Sequence, residues 1–557
     1  MKPLAVLLTV LVVSFASLAE PAALTPTQRL EQQSAQAQAL YDKHAFVEAA
    51  VTLEKAAADP QIAGLPVWSD KLYTLARYQA RAGKADAALV TLKYAVDIGA
   101  VPPAGDVVKE ADLASLHDRQ QFKDLIARLE KETTLWKDNA ALATPYKPVL
   151  SEEEKVAGLS KLWSEARFNF PFFGRIPDVD WDAQYMAFLP RVRAAQTTED
   201  YYRVLMRFLA TLKDGHTRVI APNELHGRFY GVTAVNTRLV EGKVVVIGAS
   251  DPTLEAQGIK TGAEIISIDG KPTLDYAKAE VEPFVFGFTP QDRNVWLYGY
   301  QLLRGPATEP VRLVLRNADG KTVSIAVPRH KNTGHFGFLP ELDLAAHFRM
   351  LPGNIAYLQV NVFADDSGAK TLRENFAAIS AANSLIIDVR DNGGGSSDNA
   401  YALLKILASK PFNDSNWRTR DYKAAWRSWG VAPGWTRIAA SVIDPDSALH
   451  YAKPVVVLTS ARTYSAAEDF VVAFLSMHRG KLVGETTGGS TGNPMLLKLP
   501  GGGMSFICTK DDSFPDGRVF EGVGIAPDVA VSPTVADIRA GRDPVLTRAV
   551  ALLRTGK

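Results

Sequence analysis

Four short segments of this chain carry side chains whose types and spacing could do chemistry. In Leu212-Lys-Asp-Gly-His-Thr217, Gly215 suits the C-terminal turn of a helix and would leave His216 projecting from a fixed backbone. The second segment runs an apolar strand into Asp388-Val-Arg-Asp-Asn-Gly-Gly-Gly395. Glycines there let backbone N–H groups point into open space, as anion binding requires. In Thr463-Tyr-Ser-Ala-Ala-Glu468, a strand, a turn and a helix would set Ser465 at a helix N-terminus, where the field favours developing negative charge. The fourth segment, Val519-Phe-Glu-Gly-Val-Gly-Ile-Ala-Pro-Asp528, holds Glu521 beside a defined turn. A hydroxyl, a base, a carboxylate and free amides are the parts of an acyl-transfer site.

Each part also has an ordinary reading. A histidine after a helix end is commonly structural or solvated. A glycine-rich turn can be a flexible loop, and this one lacks the Gly-Lys-Ser/Thr ending of a phosphate loop. Ser465 and Glu468 have capping-box spacing, and most such serines only cap helices. Glu521 could be a loop carboxylate in water.

The elements that must position these residues are legible as composition shifts. Residues 1–19 read as a signal peptide: Lys2, an apolar run from Leu4 to Leu18, and small residues at Ser17 and Ala19. Residues 27–135 are helical and Ala-rich. Ala49, Leu53 and Ala56 recur as Ala88, Leu92 and Ala95, a spacing that resembles tetratricopeptide (TPR) helix pairs, with an insertion around Pro60 to Pro66 and a weaker third unit from Asp112 to Leu129. An ordinary helical bundle is the alternative. Pro145 to Pro148 is a linker, and Ser151 with Glu154 opens the helical subdomain of 148–225, which carries His216. Residues 230–335 turn to short strands. The run from Gly258 through Gly262 and Glu264 to Asp269-Gly270 resembles the second half of a bacterial PDZ domain, which implies peptide capture by strand addition; a small β-domain that only spaces its neighbours is the alternative. Strands and helices alternate through 340–535, an α/β core, and 536–557 is a C-terminal helix. The expected fold is multidomain: TPR-like helices, a small helical subdomain, a PDZ-like β-domain and the α/β core.

Bulk properties narrow the function. A net charge of +1 gives no field for nucleic acid or a charged membrane surface. No segment after the first is apolar enough for stable membrane insertion. The single cysteine, Cys508, excludes internal disulfides and cysteine-rich metal sites, and a disulfide-free exported chain fits a periplasmic or secreted location.

Taken in order, Asp-Gly-His-Thr, Asp-x-Arg-x-Asn-Gly-Gly-Gly, Thr-x-Ser-Ala-Ala-Glu and Glu-Gly-x-Gly-Ile-x-Pro-Asp resemble the catalytic series of the tail-specific (C-terminal processing) peptidase family, which includes the tricorn core and the photoreceptor retinoid-binding repeats. The resemblance spans roughly 150 to 535. It implies a core of the ClpP and crotonase type and hydrolysis of polypeptides, by way of their unstructured C-terminal tails. Processing peptidases pair the serine with a lysine; here Ser490 stands at that place, so replacing Ser490 is expected to be harmless. The tricorn-like branch uses a histidine, which His216 matches. That branch often has a serine before it, where this chain has Gly215. The resemblance thus implies Ser465 as nucleophile, His216 as base and Glu521 as its orienting carboxylate. Gly393, Gly394 and Ala466 would form the oxyanion hole, with Glu468 and Gly215 in support. It implies no cofactor and no metal, a polypeptide substrate, and a protein partner at the TPR-like region. A non-catalytic binding scaffold on the same fold is the competing reading.

Overall fold

The computed structural model describes residues 24–134, 141–334 and 343–555. The expected signal peptide lies outside them. Among the described residues no helix is long and apolar enough to cross a membrane. The chain divides into two compact units, at residues 137 and 138.

The first unit is helical. Helices Pro26–Asp42 and Phe46–Ala58 form one pair, and Ser69–Arg81 and Ala85–Asp97 a second. The repeated positions Ala49, Leu53, Ala56, Ala88, Leu92 and Ala95 are all buried, since alanine lets helices approach while each leucine fills the groove. The insertion folds into short helices, Pro60–Ala63 and Pro66–Trp68, that bury Ile62 and Trp68. The third repeat-like stretch is the turn Ala111–Leu116 followed by helix Gln120–Thr134.

The second unit begins with helices Glu152–Asn169, Trp181–Ala194 and Thr198–Ala210. Ser151 and Glu154 make the reciprocal capping box expected of them. The last helix ends at Ala210, and the left-handed residue after it is Lys213 (φ 55°), not Gly215. Strand Arg218–Ile220 then pairs antiparallel with Met504–Ile507, which ties the segment carrying His216 to the α/β core.

The β-rich region is a curved antiparallel path in the order Val235–Val240, Lys243–Ala249, Glu264–Ile268, Val311–Arg316 and Thr322–Val327. Its Glu241-Gly242 and Asp269-Gly270 turns have positive φ at both residues, as two-residue hairpins of the I′ type demand.

The core sheet runs His347–Leu351, Ile355–Gln359, Ser384–Asp388, Val455–Thr459, Gly480–Gly484 and Val529–Ala530. The first pair is antiparallel and the rest are parallel. Both faces are covered. Leu385, Ile387, Val455 and Val457 pack with helices Ser397–Leu407 and Ala466–Ser476. The alternate residues Ile386, Val456 and Leu458 meet Val545, Ala549 and Leu552 of helix Pro544–Thr555. This period-2 split explains the unbroken apolar runs read in the sequence. The expected C-terminal helix 536–557 is divided into Val535–Arg539 and Pro544–Thr555.

Candidate active site

The second and third segments leave the C-terminal ends of the parallel strands Ser384–Asp388 and Val455–Thr459, where open α/β sheets place their sites, while the fourth leads into the edge strand Val529–Ala530. Strand Val455–Thr459 leads through a tight turn to Ser465, which has φ 57° and ψ −128° and precedes helix Ala466–Ser476. A positive φ in a residue with a Cβ is strained, and such strain is found where a side chain must be presented. Ser465 makes no side-chain cap bond, so the capping reading fails. Its N–H donates to the Ser490 carbonyl at 3.0 Å.

Glu468 does not reach back to cap the helix either. Fully buried, it accepts from the Thr487 hydroxyl (2.5 Å), the Gly489 N–H (2.8 Å) and the Ser490 N–H (2.8 Å). It therefore shapes the turn 484–492. Burial pushes its carboxyl up to about 7, against the pull of those three donors.

His216 lies against this turn. Its Nδ1 is 3.0 Å from Ser490 Oγ, and its ring stacks on Tyr464 with centroids 5.0 Å apart and 18° between planes. Burial, reinforced by the nearby Arg218 charge, lowers its pKa to about 3, so the ring is neutral at neutral pH. No hydrogen bond joins His216 to Ser465 in this ligand-free state; such contacts often tighten only with substrate.

Two expectations are corrected here. The carboxylate of Glu521 does not hold His216. Its Oε2 accepts from the Thr491 N–H (2.6 Å) and hydroxyl (2.7 Å), and its Oε1 lies 3.8 Å from Arg175. It braces the residue next to Ser490, and the histidine is held by Ser490 itself. Second, the Gly394 N–H is taken by the Asn392 side chain at 2.9 Å, so it cannot serve an oxyanion. Gly394 is needed for another reason: a Cβ there would fall 2.6 Å from the Ser465 Cβ. The N–H groups of exposed Gly393 and of Ala466, beside Ser465, have no hydrogen-bond partner among the described residues.

Ser490 and Tyr464 are the residues that sequence reasoning missed as contributors. The reason for Gly215 is now physical. A Cβ at Gly215 would lie 1.6 Å from the Tyr464 hydroxyl oxygen, so the tyrosine fills the space that a side chain before the histidine would take. A second layer of carboxylates lies below. The Thr491 hydroxyl contacts both Glu521 (2.7 Å) and Asp512 (2.6 Å), and burial raises the pKa of each, that of Asp512 to about 7. The Asp388-Val-Arg390 segment is structural: Arg390 pairs with Asp388 and with Asp543, anchoring the last helix. From the β-rich region, Thr289 donates to the Gly488 carbonyl and Gln291 to that of Thr487, so the turn is also held from outside the core.

A strained serine at a strand–helix turn, flanked by two free amides and a buried neutral histidine, can carry out acyl transfer. Residues 354–531 match Peptidase family S41. The chain is 24% identical over 417 residues to the chloroplastic C-terminal processing peptidase of Tetradesmus obliquus, covering 71% of this chain and 80% of that one. It is 23% identical over 351 residues to the carboxyl-terminal-processing protease of a Picosynechococcus species, covering 61% and 75% respectively. The solved structure of mature CPAF complexed with lactacystin shares the fold, with a TM-score of 0.59 at 16% identity over 73% of this chain and 99% of that one. Through residues 354–531 the chain is similar to peptidase family S41, and this match together with the processing-peptidase relatives supports a serine-type peptidase.

Proposed function

We propose that this protein is an exported peptidase that cleaves polypeptides presented by their C-terminal tails, with Ser465 as nucleophile and His216 as general base. The observation that carries the reading is the Ser490 bridge, whose hydroxyl meets Nδ1 of His216 while its carbonyl accepts the Ser465 N–H. With Nδ1 protonated and donating to Ser490, Nε2 keeps the lone pair that takes the Ser465 proton. The Ser465 oxygen attacks the peptide carbonyl, and the oxyanion forms against the N–H groups of Gly393 and Ala466. The imidazolium gives its proton to the leaving amine, and water releases the acyl group by the same path reversed.

Tail capture rests on the PDZ-like reading of the β-rich region. Its edge strand Val235–Val240 borders a cavity of about 430 Å³ with the guanidiniums of Arg304 and Arg462 in its wall, cations suited to a terminal carboxylate. The relatives that carry C-terminal processing in their names support the same substrate class. The helix pairs of the first unit remain a TPR-like surface for a protein partner.

The test is covalent. A fluorophosphonate should label one residue, mapped to Ser465, and Ser465→Ala should abolish both labelling and hydrolysis while the far-UV spectrum is unchanged. Labelling elsewhere, or turnover surviving in the mutant, removes the assignment.

A further inference from the structure

Behind the histidine lies a cluster that peptide hydrolysis does not use. Asp214, two residues before His216, is fully buried; its carboxylate makes no hydrogen bond of good geometry, and the Thr217 hydroxyl, the Cys508 thiol and the His216 N–H are the donors that face it. Weak, poorly aligned donors offset little of the cost of burying a carboxylate, whereas a cation would offset it more fully. Cys508, the chain's single cysteine, is also fully buried, with its Sγ 3.5 Å from the Thr491 carbonyl oxygen. A ring nitrogen of His216, the Cys508 sulfur and a carboxylate oxygen of Asp214 all lie within 4.8 Å of one another.

The fold holds these groups in place. Strand Arg218–Ile220, just after His216, pairs with Met504–Ile507, just before Cys508. The Cys508 N–H donates to the Thr217 hydroxyl at 3.0 Å. The two chain segments that supply the three groups are therefore stitched together beside the cluster.

We propose that Asp214, His216 and Cys508 form a site for a zinc-class divalent cation, and that filling it switches the peptidase off. Thiolate, imidazole and carboxylate are the ligand types that zinc takes, with a fourth position left for water. Ligand atoms around a tetrahedral zinc stand about 3.5 Å apart, so the cluster must contract by roughly an ångström. On binding, the Cys508 thiol loses its proton to solvent, and thiolate and carboxylate together balance the dication. Arg218 lies close by, donating to the Gly215 carbonyl, so a cation is tolerated only when both of those ligands are anionic.

The switch rests on the reading of His216 as the base. A neutral imidazole has one lone pair on its ring nitrogens. If the metal takes that pair, the other nitrogen carries the proton and nothing remains to accept the Ser465 proton, whichever nitrogen is bound.

The experiment titrates the purified full chain with Co²⁺ and follows absorbance. A thiolate-to-cobalt charge-transfer band in the near ultraviolet is expected, with visible bands of a four-coordinate centre, displaced by Zn²⁺. Cys508→Ser and Cys508→Ala should both lose the near-ultraviolet band. Peptide turnover should fall in step with the band and return with EDTA, and both cysteine variants should keep metal-free turnover and need at least tenfold more metal for inhibition. The absence of a charge-transfer band overturns the site, and the base assignment then stands or falls on the His216→Ala variant alone. Equal inhibition of wild type and cysteine variants also overturns it. A full cobalt spectrum with undiminished turnover keeps the site but overturns the switch, and with it the role of His216.

Discussion

Replacing Ser490 by alanine is the sharpest perturbation of the proposed catalytic arrangement. The substitution removes the oxygen 3.0 Å from His216 Nδ1. It leaves the backbone bonds of residue 490 in place, its N–H to Glu468 at 2.8 Å and its carbonyl to the Ser465 N–H at 3.0 Å. The turn should keep its shape. In the ground state His216 is neutral and the lost bond is modest. In the transition state the ring becomes imidazolium, and its Nδ1–H would face a buried gap. A hydrogen bond to a charged group contributes about 1.5–3 kcal/mol. Losing it only in the transition state lowers kcat by roughly 10- to 150-fold, and KM should hardly change, because residue 490 touches the base and not the proposed oxyanion donors. The assay is steady-state kinetics on one peptide, with active sites counted by fluorophosphonate. Ser490→Thr keeps a hydroxyl and should recover much of the rate. If Ser490→Ala stays within twofold of the wild-type kcat, the histidine is not held through this residue, and the idea of a serine standing in for an orienting carboxylate is wrong.

Three further outcomes are expected. The Glu468 carboxyl, raised to about 7 by burial, accepts three hydrogen bonds when ionised, and its protonation sets an O–H donor among those donors and weakens their hold on the turn, so kcat/KM should fall as pH drops through about 7; Glu468→Gln should flatten that limb, and a limb unchanged in the variant would assign it elsewhere. His216, held near 3, should add no limb between pH 5 and 8. Gly215→Ala puts a Cβ 1.6 Å from the Tyr464 hydroxyl oxygen and should lower stability by about 1–3 kcal/mol or more; adding Tyr464→Phe should restore part of the melting temperature, and an additive double mutant would show that the two do not share that space. Amidating the C-terminus of a long cleaved peptide should raise KM, and equal KM for acid and amide would count against tail capture.

The order of the four segments made the family resemblance legible in the sequence, and the apolar runs at Ser384–Asp388 and Val455–Thr459 were legible as buried strands of an α/β core because strands covered on both faces need no alternation. The partner of His216 was not legible. Ser490 lies 274 positions away along the chain, and its type suggested only that a lysine was missing. Nothing local distinguishes a serine that lacks a role from one placed by a turn that Glu468 shapes from below. Glu521 misled for the opposite reason: its motif identified the family, while the contact it makes is one residue away, at Thr491. Gly394 was credited with an N–H that Asn392, two residues earlier, already uses.

These displacements share a cause. The histidine follows the helix Thr198–Ala210 and the serine precedes the helix Ala466–Ser476, so their relative position is set by whatever lies between them, which is the turn 484–492. Everything that fixes that turn acts on the pair at once. Glu468 takes two of its N–H groups, Glu521 takes a third, and Thr289 and Gln291 hold its carbonyls from the β-rich side. A lysine at position 490 would bring a base of its own and would need none of this alignment. A serine there brings only a hydroxyl, too weak to act alone and useful because it is rigid. In the proposed mechanism, the exchange of base accounts for the buried carboxylates that accumulate beneath a site where, among the described residues, the His216 ring is hydrogen-bonded to a hydroxyl and not to a carboxylate.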